Sequence, residues 1–422
     1  MVFKKGSMLE KLHKLGALDI DDSDIANNMK RRAKLLLTRR QLQRQVRKPK
    51  FRDVRRDDLW HYHLVKAREI EGYFVERYKM TEDSFDKLVD MIDLPVNEVK
   101  SMNSTSGVSP IIKPMAVACG LRFLGGEPHK ALEDCFHISK SSSKRAVRRF
   151  VQAVLDCEAL AINLPEPEEL PRLAASWSEM STCPGKPFHG IVLALDGFLC
   201  ARITPNVAND AHYHNNHKKI HALNVQAAVD HLLRFRYVCV AAPGRVNDGR
   251  AYWRCTSLRR WIRGLANEYA IAADNAYPLS NKILIPFKGS QMGNDPSKTA
   301  YNFFLSQLRI RVEMAFGRMT QKWQIMRKKM TCSLATQSMY INAITRLHNF
   351  VIDNDGLTTA QAGVAPINQH GRLDPEQLEA LGLAPFIAVD YNANNIIRAT
   401  RRNAIVNRIS RDGIVRPVAP PT

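Results

Sequence analysis

Hydrophobic residues along this chain fall into runs of two kinds. Short unbroken runs occupy 190–198 (GIVLALDGF) and 269–274 (YAIAAD), and each reaches a carboxylate, Asp196 or Asp274. Apolar runs of that length predict strands buried on both faces. HALNVQAAVD (221–230) and RFRYVCVAA (234–242) predict a hairpin, with Asp230 serving its turn and Pro243-Gly244 ending its second strand. Elsewhere the apolar positions recur at helical spacing. In 78–92, Phe85, Leu88, Val89 and Ile92 share a face and Thr81 is the N-cap. Three helices are predicted in 114–156, broken at Gly125-Gly126 and at His137-Ile138-Ser139, with Ser139 capping the third. A helix over 247–264 and a helical region over 301–352 complete the pattern, with Asp248 read as an N-cap and not as a metal ligand.

The order β-β-β-α-β-α predicts an α/β fold with a ribonuclease-H-like mixed sheet, preceded by an all-α region. Five segments follow: a basic arm (1–58), a helix-turn-helix-like region (59–160), a Pro/Glu-rich linker (161–184), a catalytic domain (185–355) and a basic tail (356–422). In the tail, 396–417 is predicted to be a helix that caps the domain.

Composition narrows the function. The 422 residues carry a formal charge of +21, which points to a polyanionic partner. No run approaches the ~20 apolar residues of a spanning helix, so no membrane partner is expected. The first residues also lack the apolar core of a signal peptide. The eight cysteines (119, 135, 157, 183, 200, 239, 255 and 332) are scattered without a C-x-x-C pair, and read as buried small hydrophobes in a reducing compartment. Residues 30–56 form a dense basic arm suited to phosphate binding or nuclear import. At the predicted helix-turn-helix, Lys140, Ser141, Ser142, Ser143, Lys144 and Arg148 are the residues expected to face DNA.

The chemistry centres on acids. Asp196 and Asp274 end strands, and Glu313 lies at the edge of an apolar helical stripe (Leu308, Val312, Ala315, Phe316, Met319). Phosphodiester cleavage and strand transfer use two divalent ions, about 3.5–4 Å apart, held by hard oxygen ligands. Asp196 is the natural bridging ligand, with Asp274 and Glu313 each binding one Mg2+ or Mn2+. Each acid also has a local reading: Asp196 and Asp274 as turn residues, Glu313 as the i+4 partner of Arg309. Lys218, Lys219 and His221 are candidate phosphate contacts, as are Arg309, Arg311 and Arg318, which could also neutralise the acids. The histidines at 212, 214, 217 and 221 lack a cysteine partner and make a poor zinc set.

The motifs resemble those of the PIF/Harbinger superfamily of DDE transposases. They are IVLALDGF, YHNNHKKIHALNVQAAVD, PGRVND, AADNAYPLSNKILIPF and NFFLSQLRIRVEMAFGRMTQKWQIM, ending in LHNFVIDND. The resemblance covers about 185–355 and, more loosely, the helices of 78–160. It implies Asp196, Asp274 and Glu313 as the DDE triad. It further implies cleavage of DNA at transposon ends and transfer to target DNA, in the nucleus, by a self-associating protein with a Myb-like DNA-binding helper. A domesticated DNA-binding protein or nuclease of the same stock is the alternative. Gly197-Phe198 stand where the family would have a Thr or His, a change that touches none of the three acids.

Overall fold

The apolar run that contains Asp196 lies in the middle of a mixed sheet. The computed structural model describes residues 56–70, 72–94, 111–204, 210–360 and 400–417. The basic arm before residue 56 and most of the connector that follows 360 lie outside them. The strands are β1 (Ile191–Arg202), β2 (His214–Asn215), β3 (Ile220–Val229), β4 (Phe235–Pro243), β5 (Ala270–Ala273) and β6 (Ile283–Leu284). Their order is β2-β3-β1-β5-β6, with β4 also paired to β3. β3 is antiparallel to β1 and β4, whereas β5 is parallel to β1 and β6. The antiparallel hairpin followed by parallel crossovers is the arrangement the element order predicts.

The helices in chain order are α1 (Arg56–Glu69), α2 (Tyr73–Tyr78), α3 (Glu82–Met91), α4 (Lys113–Leu124), α5 (His129–Phe136), α6 (Lys140–Asp156) and α7 (Leu170–Met180). They continue as α8 (Asp248–Tyr252), α9 (Thr256–Gly264), α10 (Gly289–Met292), α11 (Pro296–Lys322), α12 (Leu334–Ala360) and α13 (Thr400–Arg411). Local signals placed several ends well. Thr81 accepts from Ser84 N, and Ser139 accepts from Ser142 N. His137 turns the chain between α5 and α6 in a left-handed conformation (φ 48°).

The helical region expected over 301–352 is built from α11 and α12, the chain leaving the helix at Trp323. Two expectations need correction. The predicted helix over 247–264 is two helices, broken between Trp253 and Cys255. The stretch 161–184 is no bare linker: α7 buries Leu170, Leu173 and Trp177, and Trp177 Nε1 donates to Val192 O (2.8 Å).

β1 is buried on both sides, which is why its sequence reads as an unbroken apolar run. Ala194, Phe198 and Cys200 face a core shared with Leu308, Val312 and Phe316 of α11, and with Phe85, Leu121 and Phe150 of the N-terminal helices. This core is continuous across the boundary expected between helical region and sheet. Val192 and Leu195 face a second core with Leu173, Leu258 and Ile262. The predicted tail helix is α13, which buries Ile405, Val406 and Ile409. All eight cysteines are free.

His348 on α12 is 2 % exposed, and its Nε2 lies 3.0 Å from Leu233 O. Burial pushes its pKa down to about 4, so the folded protein holds it neutral. The unfolded chain protonates this ring near pH ~6.5, so its contribution is intact above that value and shrinks as pH falls toward ~4, by about 3 kcal/mol at most. His348→Gln is expected to flatten the acid limb of a stability-versus-pH curve measured by urea titration; an unchanged slope contradicts this.

Candidate functional site

Register brings the acids together. Along β1 side chains alternate between faces, so Asp196, between Ala194 and Phe198, is directed to the face covered by α11. β1 and β5 run parallel with Leu195 opposite Ala273, so the next residue of each chain, Asp196 and Asp274, stand side by side. On α11, Arg309 and Glu313 are one turn apart and face the same point. Arg309 Nη1 donates to Asp196 Oδ2 (3.4 Å) and to Glu313 Oε1. Phe198 and Phe316 stack at 5.2 Å and fix α11 against the strand nearby.

The charges of this cluster act strongly on one another. Burial pushes the Asp196 carboxyl well above the usual range; Arg309 opposes this, while Asp274, Asp248 and Glu313 reinforce it. Burial also works against the charge on Arg309, but Glu313, Asp196 and Asp274 outweigh it and raise the guanidinium above its ordinary value. Two of the local readings hold alongside the meeting of the acids: Glu313 does pair with Arg309, and Asp274 O accepts from Tyr277 N (3.1 Å).

Asp248 is the acid the sequence reading misplaced. The N-cap of α8 is Asn247, whose side chain accepts from Arg250 N (3.0 Å). Asp248 instead turns inward, where its Oδ1 accepts from Asn224 Nδ2 (2.9 Å) and Gln226 Nε2 (2.9 Å). Burial pushes its carboxyl up, the two amide donors and Lys218 oppose, and Asp274 adds to the rise. Gln226 Oε1 accepts from the hydroxyl of Tyr277 (2.7 Å), a phenol that burial and the nearby acids hold well above its ordinary value. Two amides alternating on an otherwise apolar strand, Asn224 and Gln226, were the available signal for this network.

Gly197 is tied to the same place. A Cβ there would stand 1.9 Å from Asp248 Oδ1 and 2.7 Å from Gln226 Nε2. Gly197→Ala must displace this buried network, and is expected to lower stability by about 1–3 kcal/mol in chemical denaturation. A neutral result contradicts the close approach.

The remaining candidates divide. Lys218 is half-buried; burial lowers its pKa, while Asp248 and Asp196 favour its charge. Lys219 is exposed, and His221 lies against His214 (rings 5.0 Å apart). Arg311 is directed away from the acids, toward His231 O (3.5 Å), and Arg318 is buried, so of the three arginines only Arg309 neutralises the cluster. On α6, Lys140, Lys144 and Arg148 are exposed at helical spacing. Ser142 is half-buried and tied to the Ser139 cap (3.0 Å). Ser143, expected to face DNA, is buried with its Oγ 2.9 Å from His129 Nδ1.

Carboxylate oxygens are the donors a hard divalent ion requires, and the half-buried, acid-crowded Asp196 is a group that a cation would hold ionised. The donor set therefore fits in its chemistry. Among the described residues no three His, Cys, Asp or Glu side chains are gathered closely enough to hold an ion as they stand, and Arg309 bridges Asp196 and Glu313.

Residues 195–349 match the sequence model of a family described as DDE superfamily endonuclease. Among curated proteins, the chain is 23% identical over 302 residues to "Protein ALP1-like" of Arabidopsis thaliana, covering 68% of this chain and 72% of that protein. No solved structure matches. The matched span contains Asp196, Asp274, Glu313, Asp248, Lys218 and Arg309, so the similarity to DDE superfamily endonucleases runs through the whole acid cluster.

Proposed function

We propose that this protein is a DDE-type transposase that cuts DNA at transposon ends and joins the freed 3′ hydroxyl to target DNA, using a ribonuclease-H-like domain. The observation that carries the reading is the meeting of Asp196, Asp274 and Glu313, from strand, strand and helix, around the Arg309 guanidinium. Asp196, Asp274 and Glu313 would hold divalent ions, Mg2+ or Mn2+, whose chemistry is Lewis-acid activation of the attacking oxygen and stabilisation of the leaving one.

The chain's own residues do the rest. The Gly197 N–H donates to Asp196 Oδ1 (2.8 Å) and orients the carboxylate. Arg309 neutralises Asp196 and Glu313 in the free protein, and serves the phosphate beside the cut when DNA is bound. Lys218 adds positive charge that acts on Asp248 and Asp196. Lys140, Lys144 and Arg148, with Ser142 at the helix start, form a basic face for the duplex flanking the site. Lys219 and His221 extend the phosphate contacts nearer the cut. This reading implies a nuclear protein, self-association to pair two DNA ends, and a Myb-like helper for end recognition.

A second reading is a DNA-binding protein of the same stock that does not cut. The Arg309 bridge favours it, since the acids already have a counter-charge. End-labelled duplex DNA incubated with the purified protein separates the two. Cleavage is expected with Mg2+ or Mn2+ and should vanish with EDTA. Cutting that persists undiminished in EDTA overturns the metal-dependent reading, and binding without cutting supports the second.

A further inference from the structure

The five tryptophans of the chain are not alike. Trp60, Trp177 and Trp323 are buried, and Trp261 is half-buried with its Nε1 donating to Pro165 O (2.9 Å). Trp253 is 55% exposed. An indole left in water forgoes a large burial gain, and its flat face stays open to a partner. The pose is fixed: the Arg259 guanidinium lies over the ring (4.2 Å), and its Nη1 donates to the Trp253 carbonyl (3.0 Å). Trp253 also caps the C-terminal end of α8, the helix whose first residue is Asp248. That helix is seated close to the acids, since a Cβ on Gly249 would meet Ala276 O at 2.4 Å, two residues past Asp274. Five residues of helix span about 7.5 Å, so the exposed indole lies roughly that far along α8 from the acid cluster.

The stretch of sequence around this indole is cationic. Between His231 and Asn267 the sequence holds eight arginines and a single acid, Asp248, which is turned into the site. Arg234 and Arg236 are spent on Asp230, Asp353 and Glu169. Arg250, Arg254, Arg260 and Arg263 are exposed on α8, α9 and the link between them.

We infer that Trp253 and the arginines of 250–263 form a DNA-binding surface beside the acids, with Trp253 as a stacking platform for an unpaired base next to the cut. Exposed aromatics within cationic grooves bind bases without sequence preference, while arginines bind the adjoining phosphates. This surface is separate from the α6 face, and the inference rests on the reading of the protein as a DNA-processing enzyme.

The test uses the full chain and fluorescence anisotropy, with a blunt duplex and the same duplex carrying a short single-stranded overhang. Trp253→Ala is expected to weaken binding of the overhang duplex about tenfold and to leave the blunt duplex little changed. Trp253→Phe should restore most of the loss, which a merely structural role would not require. Arg260→Gln with Arg263→Gln should reduce the slope of log affinity against log salt by about 1–2, the mark of lost phosphate contacts. All three positions lie on the surface, so melting temperatures should match the wild type. If wild-type protein binds DNA and every variant binds it with the same affinity and slope, the inference is overturned, even if the variants alter association with another protein. If the wild type binds no DNA, the broader function falls and this surface with it.

Discussion

Asp196→Asn is expected to lower metal-dependent DNA cleavage at least about a thousandfold, some 4 kcal/mol of barrier, while leaving the protein as stable as before or slightly more so. Both halves follow from the same geometry. The carboxylate stands at mid-sheet, where burial and three neighbouring acids work against its charge, and one guanidinium at 3.4 Å offsets only part of that. An amide of the same shape keeps an oxygen for the Gly197 N–H, removes the buried charge and leaves Arg309 its bond to Glu313. Sites that concentrate like charges for function are commonly stabilised when the charge is removed, here by about 1 kcal/mol. Thermal melting beside the cleavage assay checks both. Lost activity accompanied by a large drop in melting temperature would mean that Asp196 is a structural residue.

Asp230→Ala is expected to destabilise the protein by about 2–4 kcal/mol, because it leaves two backbone N–H groups of the turn without their acceptor and leaves Arg234 only its pair with Asp353. Asp230 is 0% exposed. Its Oδ1 accepts from Leu232 N (2.9 Å) and Arg234 N (3.1 Å), and its Oδ2 pairs with Arg234 Nη2 (2.8 Å). One side chain thus holds the turn between β3 and β4, in which Leu233 takes a left-handed conformation (φ 65°). Asp230→Asn keeps an acceptor for the backbone and should cost less than the alanine. A loss below about 1 kcal/mol for Asp230→Ala in urea titration contradicts the assignment.

What the sequence made legible was local or strongly patterned. The β1 run stood out because both faces are buried. The caps at Thr81 and Ser139 are decided within three residues, and the Asp230 turn within four. Leu308, Val312, Phe316 and Met319 on α11 announced their face by spacing alone, and with it the position of Glu313.

What escaped depends on contacts distant in sequence. Asp248 looked like a cap because it opens a helix, yet Asn247 takes that role and Asp248 is claimed by Asn224 and Gln226, more than twenty residues away. The helix at 170–180 hid behind prolines and glutamates, although Leu170, Leu173 and Trp177 carry helical spacing. Pro171 falls in its first turn, where proline is tolerated. Arg311 resembled Arg309 in sequence, but two helical positions rotate it by about 200° and direct it to the hairpin turn.

The claim at the centre is that Asp196, Asp274 and Glu313 act together as one cleaving site. Its most direct test is cleavage of labelled DNA in Mg2+ or Mn2+ by four proteins: the wild type, Asp196→Ala, Asp274→Ala and Glu313→Ala. The geometry predicts cutting by the wild type and near-complete loss in each of the three variants with folding retained. Equal cleavage by all four would contradict it.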